Sequence, residues 1–123
     1  MKFLMSIYGN DELWASLSAE HDFDAVIAAT DAHNRQLAES GELLGAYGVG
    51  EPVTSKRVRL SEDGVRVVSD GPYIETKEYL GSFYVVDCED LDRALEIAAE
   101  MPSARFVDIE VRPLLHGGTA DEL

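Results

Sequence analysis

Two segments of alternating polarity bracket this chain and limit its fold more than anything between them. Near the start, Phe3, Met5 and Ile7 fall on one side of an extended segment, with Leu4, Ser6 and Tyr8 on the other. Near the end, Val107, Ile109 and Val111 alternate with Asp108, Glu110 and Arg112. A period of two with one apolar face marks a strand covered on one side only, so the helices must lie on that side. The segments between supply them. A stripe of Phe23, Val26, Ile27, Thr30, Asn34, Leu37 and Ala38 predicts a helix from an N-cap at Ser18 to about Ser40, stopped by Gly41. Asp90 predicts the cap of a second helix, Leu91–Met101, whose Leu91, Ala94, Leu95, Ala98 and Met101 face the sheet and which Pro102 ends.

The remaining segments complete the order. Gly9-Asn10-Asp11 breaks the first strand, and Asp11 to Leu17 reads as a short helical turn carrying Trp14, an apolar anchor under a loop. Glu42–Val49 reads as a strand whose glycines imply bulges or a close backbone approach. Lys56–Leu60 and Val65–Ser69 form a hairpin turning at Ser61-Glu62-Asp63-Gly64, and Gly81–Asp87 forms another strand. The sum is strand, helix, strand, hairpin insertion, strand, helix, strand. That is an α+β chain of the ferredoxin-like split βαβ type. A single domain is expected over residues 1–113, with a polar, mobile tail over 114–123 that carries His116.

The totals narrow the partners. With 24 acidic and 10 basic residues the formal charge is −14, which argues against a basic face for nucleic acid or for an anionic membrane. No apolar run is long enough to span a bilayer and no signal peptide is visible, so a cytoplasmic protein is expected. Cys88 is the only cysteine and reads as an inert buried thiol. His21, His33 and His116 are scattered, so neither a metal site nor a cofactor is expected.

The richest stretch for function is Asp70-Gly71-Pro72-Tyr73-Ile74-Glu75-Thr76-Lys77-Glu78-Tyr79-Leu80-Gly81. Gly71 tolerates positive φ, Pro72 fixes the exit direction, and Asp70 can bond back to nearby amides. Such a corner can be a plain turn, or it can present Asp70, Tyr73 and Lys77 to a cleft. Tyr8, Asp70, Tyr73, Lys77 and Arg112 form a candidate set of phenols, a carboxylate and cations. They suit a small polar or aromatic acid and the transfer of a proton. A hydrogen-bonded rim is the other reading of the same residues. Thr30 and Asn34, polar groups in the middle of the helix stripe, either bond within the core or line a cavity.

The run Asp70-Gly71-Pro72-Tyr73 followed by Glu75-Thr76-Lys77-Glu78 resembles the Asp-Gly-Pro-Phe branch of the YCII-related family, with Tyr73 where phenylalanine is usual. The resemblance runs over nearly the whole chain. It implies a homodimer whose two sheets close into an α+β barrel. It also implies a helix histidine working with an aspartate. That histidine position falls near Thr30, so this chain departs from the pattern, and His33, one turn on, either reaches the same cavity or faces solvent. Asp70, His33 and Tyr8 are thus the candidate catalytic residues; Tyr73, Lys77, Arg112, Thr30 and Asn34 are the candidate binding residues. The activity implied is that of a small cofactor-free enzyme of lyase, isomerase or dehydrochlorinase type acting on a small organic acid. The alternative is a non-catalytic dimer that binds a ligand or a regulatory protein of an alternative sigma factor system.

Overall fold

The computed structural model describes residues 1–20, 22–71 and 77–123. Four strands form one antiparallel sheet: β1 (Lys2–Gly9), β2 (Leu43–Gly48), β5 (Tyr79–Asp87) and β6 (Ile109–Pro113). Their spatial order is β2-β5-β1-β6. Among the described residues three helices accompany them, α1 (Asp11–Glu20), α2 (Phe23–Glu39) and α3 (Leu91–Glu100). The hairpin β3 (Lys56–Leu60) and β4 (Arg66–Asp70) is a separate two-stranded ribbon between β2 and β5. The fold is the ferredoxin-like α+β arrangement that the alternating segments predict.

The core sits where the alternation of β1 places it. Phe3, Met5 and Ile7 are buried with Tyr84 and Val86 of β5, and Leu37, Ala94, Ile97, Ala98 and Met101 cover them. Val107, Ile109 and Val111 pack at its edge. Burying a side chain such as Phe3 or Ile97 in full contributes about 1.5–3 kcal/mol. α3 is framed as its sequence dictates: the Asp90 carboxylate accepts the Arg93 N–H, and Met101 turns extended before Pro102. On its flank the Arg93 guanidinium grips Glu42 with two hydrogen bonds, each 2.9 Å. That grip holds the Glu42 carboxyl below the usual carboxylate range. The Cys88 thiol is buried, and burial raises its pKa.

Three expectations are corrected. The Asp11 segment is a full helix through Glu20, so Ser18 lies inside α1. It is Asp22 that caps α2, its carboxylate accepting the Ala25 N–H at 3.1 Å. Ser18 and Asp22 are both good caps, and only tertiary packing selects between them. The buried side of α2 runs through His33 and Leu37, while Phe23 and Ile27 are exposed, so the stripe is rotated from the expected one. The last strand begins at Ile109, because Pro102–Arg105 winds into a 3-10 turn that carries Val107 as a loop residue. Beyond β6, the Leu114 N–H donates to the Lys2 carbonyl at 2.8 Å and keeps the chain against β1.

Candidate functional site

The C-terminal end of β1 and the N-terminal start of β5 meet at one end of the sheet. Their pairing is irregular there. Ile7 pairs with Ser82, but Tyr8 pairs with Leu80 and Gly9 with Tyr79, leaving Gly81 as the extra residue of a bulge. The two glycines make a notch. A β-carbon on Gly9 would lie 2.2 Å from the Trp14 ring, and one on Gly81 would lie 3.1 Å from it. Trp14 therefore anchors α1 against bare backbone. Asn10 starts that helix by accepting the Leu13 N–H at 2.7 Å, and this brings Asp11 over the strand ends.

The Tyr79 hydroxyl donates to Asp11 Oδ1 at 2.6 Å. That hydrogen bond is the main reason the phenol pKa is raised. Partial burial and the negative charge of Asp11 add to it, and a Trp14 hydrogen bond opposes it. Tyr79 is thus held protonated, with its proton shared toward a carboxylate. Asp11 and Tyr79 line a cleft of about 280 Å³ with Glu51, Pro52, Val53 and Lys77. Beside it lies a larger cleft of about 580 Å³ whose polar wall includes Tyr8, Glu78, Arg105, Asp108 and Glu110. A phenol–carboxylate pair next to a lysine can bind an anionic or hydroxylated molecule and relay one proton.

The residues predicted from the sequence fall in three places. Tyr8 and Lys77 lie at this sheet end. Thr30, His33 and Asn34 lie instead in the layer between α2 and the sheet. The Thr30 hydroxyl donates to the Val26 carbonyl at 2.9 Å, within its own helix. Asn34 hydrogen bonds the Tyr84 phenol, which lowers its pKa against the larger upward push of burial. His33 is buried, and its Nε2 has no hydrogen-bond partner, although Glu100 Oε2 stands 3.8 Å away. Asp70 lies apart from both groups, and Arg112 touches the larger cleft only through Glu110. Asp70 ends β4, exposed and paired across the hairpin with Lys56. The following Gly71, at φ +87°, donates its N–H to the Ser55 carbonyl. Arg112 pairs with Glu110 at 2.9 Å on β6. Tyr73 lies outside the described residues.

Asp11 and Tyr79 escape a reading of the sequence because the bulge that unites them is not a local property. The one available signal is glycine punctuation, Gly9 just before Asp11 and Gly81 just after Tyr79. Among the described residues no three His, Cys, Asp or Glu side chains gather closely enough to hold a metal ion.

The chain is similar to known proteins in fold and in sequence. A structure of 5-chloro-2-hydroxyhydroquinone dehydrochlorinase from Burkholderia phenoliruptrix, in complex with 2,5-dihydroxybenzoquinone, is similar in fold. Its TM-score is 0.53, over 95% of this chain and 96% of that one, at 16% sequence identity. An uncharacterised protein of Rhizobium meliloti (strain 1021) is 34% identical over 116 residues, 93% of this chain and 92% of its own. The profile of the YCII-related domain matches residues 1–116. The chain belongs to the YCII-related family.

Proposed function

We propose that this protein is a small cofactor-free enzyme that binds a small hydroxylated organic acid at the Tyr8–Tyr79 end of the sheet and moves a proton on it. The observation that carries this reading is the 2.6 Å Tyr79–Asp11 hydrogen bond in a cleft that also holds Lys77. A substrate hydroxyl would pass its proton to the Tyr79 oxygen as Tyr79 passes its own to Asp11. The electron pair freed on the substrate oxygen forms a carbonyl while the conjugated ring carbon takes a proton from solvent, which is an isomerisation; where that carbon carries chlorine, loss of a second hydroxyl proton then expels chloride. Lys77 offsets the negative charge that develops, and Tyr8 lines the adjoining binding wall. The dehydrochlorinase with a similar fold makes a chlorinated hydroxyhydroquinone the first substrate to try.

The protein is further proposed to act as a homodimer in the cytoplasm. Tyr47 and Phe83 stack at 5.4 Å between centroids on the sheet face opposite the helices, and Tyr47 is exposed there. A second reading, a non-catalytic dimer or a partner of a regulatory protein of an alternative sigma factor system, draws on that same exposed face. The test is turnover of 5-chloro-2-hydroxyhydroquinone, followed as chloride release, in wild type, Asp11→Asn and Tyr79→Phe. The proposal expects both variants to fold and to lose at least about tenfold in kcat. Variants as active as wild type would exclude this pair as the proton relay, and an inert wild type that still binds the compound would favour the binding module. Light scattering checks the dimer.

A further inference from the structure

A second cleft lies at the opposite end of β1. Lys2 and Tyr8 are six positions apart on one strand, so the two sites are separated by roughly 20 Å. This cleft, of about 410 Å³, has apolar walls from Leu44, Tyr47, Val85 and Leu115, with Lys2 and His116 as its basic groups. A carboxylate already occupies its cationic corner. Lys2 Nζ donates to Glu122 Oε2 at 2.6 Å. A tight terminal turn delivers Glu122 there. The Glu122 N–H donates to the Thr119 carbonyl at 2.8 Å, and the Thr119 hydroxyl donates to Glu122 Oε1 at 2.7 Å.

Two glycines permit that turn. Gly117 has φ +91°, and a β-carbon on Gly118 would lie 2.8 Å from the Glu122 β-carbon. The segment 117–123 lies beyond the part of the chain that the family profile matches. We infer that the cleft is a ligand site for an aromatic or branched-chain carboxylate, whose anionic head replaces Glu122 on Lys2 while its apolar body lies on Leu44, Tyr47 and Val85.

The argument rests on what is already seated there. Glu122 shows that the corner accepts a carboxylate, on a chain whose charge of −14 repels anions almost everywhere else. A partly exposed ion pair such as Lys2–Glu122 contributes modestly to stability, whereas an apolar body laid on the adjoining wall loses water from both surfaces. An amphipathic acid therefore displaces the tail where acetate does not. The tail is a tethered competitor that sets a threshold concentration for binding. The cleft lies at the edge of the sheet face proposed for dimer contact.

The test uses phenylacetate as the probe and acetate as its control, with affinity measured by calorimetry and location by backbone amide NMR shifts. Glu122→Gln should bind phenylacetate about fivefold tighter than wild type, since it removes the competing charge. Lys2→Gln should lose binding in both backgrounds. Tyr47→Ser, at an exposed position, should weaken phenylacetate and leave the fold intact. Shifts should centre on Val85, Leu115 and His116. The inference fails if Glu122→Gln binds no tighter, if Lys2→Gln or Tyr47→Ser binds as well as wild type, or if the shifts centre on Tyr8 and Tyr79. It fails also if Glu122→Gln changes only the oligomeric mass in light scattering, because the tail would then gate assembly and not a ligand.

Discussion

α1 and α3 are both ten-residue helices against the same sheet, yet they are attached in opposite ways. α3 buries Ala94, Ile97 and Ala98, is capped by Asp90 and is gripped through Arg93 by Glu42. α1 buries no residue fully, and its attachment is the half-buried Trp14 in a glycine notch together with the Asp11–Tyr79 bond. Burial makes α3 part of the cooperative core. α1 packs only through half-buried side chains, and two of the contacts that place it lie at the candidate site, so its position and the site's geometry are linked. A helix that carries a candidate site group can be loosely packed provided the contacts that place it are specific.

Four substitutions test that contrast, in descending order of effect. Ile97→Ala, fully buried on α3, should cost about 3 kcal/mol in urea unfolding. A cost under about 1 kcal/mol would mean that α3 is no better anchored than α1. Gly9→Ala drives a methyl into the Trp14 ring and should cost about 2 kcal/mol, most of it recovered in the double variant with Trp14→Ala. Additive losses would show that the notch does not hold α1.

Glu42→Gln removes the charge that grips α3 and should cost about 1–2 kcal/mol, less than a fully buried pair because Arg93 is about a third exposed. The pH dependence has a definite sign. The folded-state pKa of Glu42 lies below its ordinary 4.5, so this stabilisation is complete above 4.5 and is lost as pH falls through the lowered value. Acid melts of wild type should therefore lose stability in a window that the Gln variant lacks. Tyr79→Phe should have the smallest effect on folding, shifting Tm by less than about 2 °C. Its loss should appear instead in turnover, and a Tm shift as large as that of Ile97→Ala would make Tyr79 a structural residue.

The same contrast sets what was legible in the sequence. β1 and α3 are readable because each carries its own signal. Phe3, Met5 and Ile7 alternate, and Asp90 and Pro102 frame α3, although its buried side is turned so that Leu91 and Leu95, expected against the sheet, are exposed and Ile97 is buried. The α1–α2 boundary is not readable, because Ser18 and Asp22 compete as caps and no large buried face decides between them. His33 turns inward because α2 packs on Leu37, not on Phe23 and Ile27, and that rotation follows from where α3 and the 3-10 turn leave room. Tyr8 is legible as the polar end of a strand. Tyr79 and Asp11 are not, since 68 positions separate them and only the β1–β5 register brings them together.

That register turns on parity. Paired residues of antiparallel strands point to the same side, and Tyr84 and Val86 share the helix side with Met5 and Phe3. Counted straight along β5 by twos, Leu80 would join them and Tyr79 would face away. The unpaired Gly81 shifts the count by one, so Tyr79 comes level with Gly9 beneath α1, and Leu80 crosses to the side of Tyr8. Substitution at Gly81 leaves this arithmetic alone; drawing Gly81 into the ladder opposite Tyr8 does not. Were β5 to keep Gly81 but pair without the bulge, Leu80 would come level with Gly9, and an aliphatic side chain would stand under Asp11 in place of the phenol. Two pairings of one chain would then differ in whether Asp11 has a phenol to accept from.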